Sequence, residues 1–157
     1  MVLRKATVDD ARTLWEWRND PETRRNAFQT EAIDWDTHQQ WLAGRLADTE
    51  CQIWILVIDH DCVGQVRYDR IGTVAEISIV VAPGFRGRGI GTSLLRLSAN
   101  EACAKLQVSM VVGIVKDDNI SSQRAFERAG FQKNGTLFRH DHACHRFVLT
   151  CSQPSAT

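Results

Sequence analysis

The chain has 157 residues, which is enough for one domain with a hydrophobic core and too few for two domains of ordinary size. Lysine plus arginine and aspartate plus glutamate are equal at 19 each, and this balance argues against nucleic-acid binding as the main task. No apolar stretch approaches the ~20 residues that span a bilayer, so we expect no membrane insertion. The N-terminus lacks the apolar core of a signal peptide, and we expect a cytoplasmic protein.

The five cysteines show no CxxC spacing, and their number is odd. Cys103 falls on the apolar side of a helical pattern, whereas Cys51 and Cys62 begin strand-like runs. Isolated thiols in apolar surroundings are typical of a reducing compartment. The pattern therefore predicts reduced, mostly buried cysteines and agrees with a cytoplasmic location.

The first third of the chain is predicted to form one strand and two helices. Residues 2–6 form the strand, and Thr7 with Asp10 three residues later gives a capping box for the first helix. That helix should end before Pro21, because the residue before a proline is pushed away from helical geometry. Apolar residues at helical spacing predict the second helix over residues 34–47.

The middle of the chain is rich in strand-like runs. Residues 52–59 and 63–70 are predicted to pair as a hairpin through His60 and Asp61, and residues 75–82 form the next strand. A helix with Leu94 on its apolar face follows.

The last part of the chain contains a strand, a helix and a hairpin. Residues 108–115 are almost wholly apolar, which predicts a strand covered on both faces. Asn119 is the predicted cap of a fourth helix that ends at Gly130. Residues 131–139 and 143–151 then form a closing hairpin. We expect one domain over residues 1–151, followed by a polar tail at 152–157.

The most informative segment is Arg86-Gly87-Arg88-Gly89-Ile90-Gly91, which joins the strand at 75–82 to the third helix. Its glycines permit a sharp turn with exposed amides, and the helix directs the positive end of its dipole to the same place. These features predict a phosphate-binding loop. A Walker A motif would need lysine where Ile90 stands, and a dinucleotide fingerprint would need glycine where Thr92 stands.

The loop fits the pattern (Arg/Gln)-x-x-Gly-x-(Gly/Ala), and on this basis the chain resembles the GNAT family of acetyl-CoA-dependent N-acetyltransferases. Residues 81–91 are similar to the family's segment between strand 4 and helix 3. Residues 119–131 are similar to its "N…S…A…F/Y-x-x-x-G-F" segment. The predicted order βααβββαβαββ is also the family's order. The resemblance implies an α/β (α+β) fold, with a mixed, splayed sheet of about seven strands and about four flanking helices.

The resemblance also implies how the cofactor, acetyl-CoA, would be held. The strand before the loop would line the pantetheine arm, the loop would bind the pyrophosphate, and the fourth helix would complete the site. Asn119 has the alternative role of a plain helix cap. The implied cofactor-binding residues are Ile79, Val80, Val81, Arg86, Gly87, Arg88, Gly89, Ile90, Gly91, Thr92, Asn119 and Phe126.

Two residues are candidates for the chemistry, again by resemblance. Many GNAT enzymes have tyrosine where this chain has Phe126, and phenylalanine cannot protonate a departing thiolate. Ser122, Ser121, water or bulk solvent are the open substitutes. Glu76 stands where several members hold a general base. The alternative is that Glu76 is a solvent-exposed carboxylate and that positioning alone supplies the rate.

The acceptor is expected to be a small-molecule amine bound by the first third of the chain. The series "WRND…R…F…I…H..W" with "GQVRYD" is similar to nucleotide-sugar N-acetyltransferases of the pseudaminic acid pathway, which implies transfer to a UDP-linked 4-amino-4,6-dideoxy sugar. Arginines would bind the second pyrophosphate, and aromatic rings would stack on uracil or contact the sugar. The alternative is an ordinary helix core with solvated arginines. The candidate substrate-binding residues are Arg18, Asn19, Arg24, His38, Trp41, Arg67 and Tyr68.

Two other functions remain open from the sequence. A weaker similarity points to ribosomal-protein N-terminal acetyltransferases, and Phe126 motivates a non-catalytic acyl-CoA-binding domain. Residues 140–145 are dense in metal-ligand types, but the family's chemistry needs no metal, and we predict no metal site. The resemblance further implies that a homodimer can form near the C-terminus.

Overall fold

A computed structural model describes residues 1–152, and the predicted polar tail lies outside the described residues except for Ser152. Seven strands form one mixed sheet in the order β1-β2-β3-β4-β5-β7-β6, and β4–β5 is its parallel pair. The strands are β1 Val2–Lys5, β2 Cys51–Ile58, β3 Asp61–Ile71, β4 Val74–Val81, β5 Met110–Lys116, β6 Gln132–Arg139 and β7 His142–Thr150. The α-helices are α1 Ala11–Asn19, α2 Pro21–Asn26, α3 Trp35–Ala47, α4 Ile90–Leu106 and α5 Ile120–Arg128. The predicted mixed α/β fold is confirmed.

The helical segment near the N-terminus agrees with the sequence expectation at its start and differs at its end. The capping box between Thr7 and Asp10 is present and begins a short 3-10 turn that leads into α1. The helix ends before Pro21, as predicted, but Pro21 then begins α2, a helix that the sequence analysis did not predict. Proline is well suited to the first turn of a helix, and the Asp20 carboxylate accepts a hydrogen bond from the Thr23 amide.

Two hydrophobic cores lie on opposite faces of the sheet. Leu94 of α4 and Phe126 of α5 belong to the larger core, and Leu14 of α1 and Leu42 of α3 belong to the smaller one. Strand β5 is buried on both faces over most of its length, as its apolar sequence predicted. The face with α1 and α3 is called the acceptor face below, because the candidate acceptor residues lie there.

The cysteines differ from the expectation of five reduced thiols. Cys103 of α4 and Cys151, just after β7, form a disulfide across a sequence separation of 48 residues. The tertiary fold brings these two residues together, and no local pattern could have shown it. Cys51 and Cys144 are buried free thiols. Burial, with a smaller contribution from the nearby Asp69 carboxylate, raises the pKa of Cys51 to about 12.

Among residues 1–152, no helix combines the length and the apolar character needed to cross a membrane.

Candidate active site

The glycine-rich loop has the backbone geometry of an anion-binding turn. Gly87 and Gly89 have φ values of +76° and +75°, a region that residues with a side chain rarely adopt. Gly89 is also the N-cap of α4, so the unpaired amides of the first helical turn begin directly at the loop. A Cβ added at either glycine would meet no atom within 4 Å, which leaves open space beside the amides. The loop therefore fits a phosphate group.

The sheet opens beside this loop. The parallel ladder between β4 and β5 ends at the pair Ile77 and Gly113, although β4 continues to Val81 and β5 to Lys116. On its other side β4 remains paired with β3 through Val81. Alternate residues of a strand direct their amides to opposite neighbours, so part of the backbone at 78–81 has no strand partner on the β5 side. This edge includes the predicted cofactor residues Ile79, Val80 and Val81.

The arginines of the loop differ in their contacts. The Arg86 side chain leaves the phosphate loop and pairs with Asp20 at 2.6 Å and Glu22 at 2.8 Å. Burial alone would raise the pKa of Asp20, but the hydrogen bond from Arg86 and the Thr23 amide outweigh burial and lower it. The Arg86 guanidinium is therefore engaged by carboxylates in this structure, whereas its backbone remains available, and the role of Arg86 in cofactor binding stays a prediction. Arg88 is exposed, 5.3 Å above the Phe85 ring.

The rest of the loop forms the start of α4. Ile90 and Gly91 are buried, and Thr92 is half-buried. A Cβ on Gly91 would lie 3.2 Å from the Ala125 Cβ of α5, so glycine permits the close approach of these two helices. The predicted roles of these residues in cofactor binding stay predictions.

At the start of α5, Asn119 acts as the cap that the sequence predicted. Its Oδ1 accepts a hydrogen bond from the Ser122 amide at 3.2 Å, and Ser122 is half-buried. Phe126 is only 2% exposed and stacks on Phe147, and its ring lies over Gly113, where the β4–β5 ladder ends. Phe126 is thus a core residue beside the opening. Its contact with the cofactor and the catalytic role of Ser122 stay predictions.

Glu76 lies on β4, one residue before the last residue pair of the parallel ladder. Its carboxylate is paired with the guanidinium of Arg139, which comes from the end of β6. The β3–β4 register places Asp69 directly opposite Glu76, and Arg67 opposite Ser78. Directly paired residues in antiparallel strands project to the same face of the sheet. The candidate base is therefore on the acceptor face and is held by a cation rather than free in solvent.

A cluster of cations lies on the acceptor face. The pKa of Arg18 is lowered first by burial and then by the positive charges of Arg24 and Arg67. Arg18 donates to the Gln29 carbonyl at 2.7 Å, but its buried Nη1 atom has no hydrogen-bond partner in the described residues. The Arg67 guanidinium lies 5.1 Å from the Trp41 ring centroid. The structure therefore brings together four of the seven predicted substrate residues.

The other three predicted substrate residues have structural roles. Tyr68 is 0% exposed and is hydrogen-bonded to Ser98 at 2.7 Å, on the α4 face of the sheet. His38 is 3% exposed and packs between Trp35 and Trp41. Both side chains are buried away from the surface of this structure, so their burial does not support the expected contact with an acceptor, which stays a prediction.

Asn19 is committed to the chain itself. Its Nδ2 donates to the Ile33 carbonyl, and its Oδ1 accepts from the Ile33 amide at 2.8 Å. These two bonds fix the segment between α2 and α3 and occupy the amide, so the expected contact of Asn19 with an acceptor stays a prediction.

Three residues around Glu76 are not among the predicted site residues. Phe28 lies after α2, Lys116 ends β5, and Arg139 ends β6. The Arg139 guanidinium is 5.1 Å from the centroid of the Phe28 ring, and the Lys116 ammonium is 6.0 Å from the same centroid. No spacing pattern in the sequence could have predicted that these three residues contact one another. The alternation of side chains along β3 could, however, have predicted that Arg67 and Tyr68 lie on opposite faces of the sheet.

The histidine-rich turn does not act as one cluster. His140 packs against Phe28, whereas His145 pairs with Asp117. Over the described residues, no group of three metal-ligating side chains is arranged to hold a metal ion.

A mixed sheet that opens at its parallel pair, beside a glycine-rich helix start, defines a protein built to hold a phosphate-bearing ligand along a strand edge. The acetyltransferase (GNAT) domain family matches residues 1–132, and the chain belongs to this family of acetyltransferase enzymes. The family expected from the loop is therefore confirmed.

Individual relatives are distant but cover most of the chain. The L-amino acid N-acetyltransferase AaaT of Escherichia coli is 26% identical over 141 residues, which are 87% of this chain and 85% of the relative. The solved structure of AAC(6')-Ib in complex with ribostamycin and coenzyme A has a TM-score of 0.82 at 23% identity, covering 95% of this chain and 92% of that one. A ribosomal-protein-alanine N-acetyltransferase from Brucella melitensis has a TM-score of 0.83 at 24% identity, covering 96% and 99%.

Proposed function

We propose that this protein is an acetyl-CoA-dependent N-acetyltransferase that transfers the acetyl group directly to an amine in a ternary complex. The observation that carries the proposal is the opening of the sheet after Ile77 and Gly113, next to the loop whose glycines have left-handed geometry. An extended pantetheine arm carries amides that can pair with a free strand edge. The amides between Gly87 and Thr92 would hold the pyrophosphate.

The cofactor supplies the acetyl group as a thioester, from which a neutral amine forms an amide while CoA leaves as the thiol. The chain must therefore remove a proton from the acceptor ammonium. Glu76 is the proposed base, acting directly or through one water. It lies on the acceptor face beside the opening, and this position supports the role. Phe126 has no proton to give, so Ser122 is the proposed proton donor to the thiolate, with Ser121, water or bulk solvent as the alternatives.

The proposed acceptor is a nucleotide-linked amino sugar of the UDP-4-amino-4,6-dideoxy type. Arg18 and Arg24 have no carboxylate within ion-pair distance in the part of the chain that the structure describes. Cations crowded together without counterions favour an anionic ligand, and guanidinium groups match phosphate oxygens well. Trp41, next to Arg67, offers an aromatic surface for a base or a sugar.

The cations on the acceptor face also disfavour a polycationic acceptor. An aminoglycoside carries several ammonium groups, and the pKa of Arg18 is lowered first by burial and then by the positive charges of Arg24 and Arg67. Bringing further cations to this face would add repulsion in a partly buried site. The similarity to AAC(6')-Ib therefore supports the fold and the cofactor, whereas the acceptor is proposed from the charges of this chain.

A ribosomal-protein-type N-terminal acetyltransferase is the second candidate. The Brucella structure favours it, because it resembles this chain over nearly the whole length of both. A peptide acceptor needs an open groove, whereas Phe28 packs with Lys116 and His140.

The test is a comparison of acceptors at equal concentration, with CoA release as the readout. The panel contains the UDP-linked 4-amino-4,6-dideoxy sugar, a ribosomal N-terminal peptide, kanamycin and an L-amino acid. We expect the nucleotide sugar to turn over fastest. Arg18→Ala should raise its KM about tenfold or more and leave acetyl-CoA affinity unchanged, because one charge-assisted contact contributes roughly 1.5–3 kcal/mol. Faster turnover of the peptide would overturn this acceptor, and no release with any amine would favour a non-catalytic domain.

A further inference from the structure

We propose that Arg139 is a positioning residue for acetyl transfer, which orients the Glu76 carboxylate and is itself fixed by Phe28. The proposal rests on the role of Glu76 given above and assigns the residue that sets its geometry. Arg139 contacts both carboxylate oxygens: Nη1 donates to Oε1, and Nη2 lies 3.5 Å from Oε2. Two donors on one planar group restrict the rotation of a carboxylate more than a single donor does.

The contact between Arg139 and Glu76 requires a specific bend in the fold. The two residues lie on β6 and β4, with β5 and β7 between them. Through Val112 of β5, Glu76 is level with Val148 of β7, whereas Arg139 is paired with His142, about six residues along β7. In a flat sheet, Glu76 and Arg139 would therefore be about 14 Å apart across the strands and about 20 Å along them. The hairpin formed by β6 and β7 must therefore fold back over the acceptor face.

A feature of β6 accounts for the bend. Its pairing with β7 shifts register between Lys133 and Thr136, and Gly135 in this interval has a φ of +86°. An irregularity of this type bends a strand and increases its twist. The bulge thus carries the end of β6, with Arg139, over the neighbouring strands.

Glu76 needs a partner because of the residue opposite it. Asp69 is its direct cross-strand neighbour, and like charges in that position repel each other. Arg67 and Arg45 pair with Asp69 at 2.8 Å and 3.2 Å, so these two cations are directed to the other carboxylate. Arg139 is the cation directed to Glu76. Without it, the Glu76 carboxylate would turn away from Asp69 and out of its present orientation.

The Phe28 ring packs against the same guanidinium. Its ring lies 5.1 Å from Arg139 and 6.0 Å from His140, and the Lys116 ammonium is directed to the same ring. Lys116 also donates to the Arg25 carbonyl at 3.1 Å and so ties α2 to the end of β5. A guanidinium held against an aromatic face loses little further freedom when it binds a carboxylate.

A double-mutant cycle tests the proposal. Glu76→Gln, Arg139→Ala and the double variant are assayed with the UDP-linked 4-amino-4,6-dideoxy sugar, with thermal melting as a check of folding. Arg139→Ala should lower kcat about 10–100-fold and leave the KM for acetyl-CoA unchanged, since a small misplacement of a reacting group has an effect of that size. In the Glu76→Gln background it should cause no further loss. Lys133→Ala, on the same hairpin, is the matched control and should behave as the parent.

Two further measurements separate positioning from a merely structural role. Millimolar guanidinium ion should restore turnover to Arg139→Ala and not to Glu76→Gln. Arg139→Lys should restore only part of kcat, because an ammonium cannot offer two coplanar donors. An equal loss of kcat from Arg139→Ala in both backgrounds, or a higher kcat, would overturn the inference and leave the proposed function intact. Normal turnover of Glu76→Gln would instead remove the proposed base, and the inference with it.

Discussion

Replacing Gly89 with valine should weaken CoA binding by well over tenfold. Gly89 has a φ of +75° and is the N-cap of α4. The left-handed region costs a residue with a side chain roughly 1–2 kcal/mol, and a β-branched residue is a still rarer occupant. Because an added Cβ would meet no atom within 4 Å, this cost arises from the backbone and not from crowding.

The expected loss of CoA affinity is the same whether the loop relaxes to relieve this strain or keeps its conformation. If the loop relaxes, the amides before α4 lose their common direction, and one charge-assisted hydrogen bond to phosphate contributes roughly 1.5–3 kcal/mol. A tenfold change in affinity corresponds to about 1.4 kcal/mol, so the loss of one such contact is enough. If the loop keeps its conformation, the new side chain stands in the open space that the phosphate would occupy.

Isothermal titration calorimetry with CoA measures the effect without any acceptor. The matched control is Gly84→Val, in the same connection, because a Cβ at Gly84 also meets no atom and Gly84 has no left-handed φ. Gly89→Asn should bind better than Gly89→Val, since asparagine tolerates the left-handed region. Equal CoA affinity in Gly89→Val and the parent protein would refute both the cofactor assignment and the role given to this backbone.

Three other predictions concern stability and the cysteines. Gly113→Ala should lower the free energy of unfolding, measured in urea, by roughly 1–3 kcal/mol, because its Cβ would lie 2.3 Å from the Phe126 ring. Gly44→Ala is the control and should not destabilise the protein, because a Cβ there meets no atom within 4 Å. Equal effects of the two substitutions would argue against the close packing of Phe126 on Gly113. Burial lowers the pKa of His38 below its ordinary 6.5, so the unfolded chain binds the proton more tightly and stability should fall as the pH drops below about 6.5. His38→Gln should reduce that fall between pH 7 and pH 5, and an unchanged pH profile would contradict it. Protein unfolded without reductant should show three reactive thiols, and a count of five would exclude the disulfide.

Features that depend on neighbours in the sequence were predicted well. The capping box at Thr7, the N-cap at Asn119 and the glycine-rich loop all appear in the structure where the sequence placed them. Each depends on contacts within a few residues, and hydrogen-bonding and φ requirements act at that range. The limit of this reasoning is visible at Pro21, which correctly marked the end of one helix and also began another.

The candidate acceptor residues show where sequence reasoning ends. Arg67 and Tyr68 are adjacent in the chain, yet one lies on the acceptor face and the other is 0% exposed on the opposite face. Both were predicted to touch the acceptor because their chemical types suit it. Chemical type alone does not select a face, whereas the two-residue period of a strand does.

The sequence by itself determined the order of strands and most helices, the phosphate-binding loop and, through that loop, the family. These properties follow from local propensity, capping and backbone freedom, which depend on residues close together in the sequence and not on the tertiary structure. The tertiary structure alone decided that Arg139 reaches Glu76 and that Cys103 meets Cys151. Such contacts join residues far apart in sequence, and they depend on how a bulged hairpin bends and how α4 packs on the sheet. No spacing pattern records those distances, because they are set by the packing of the whole domain.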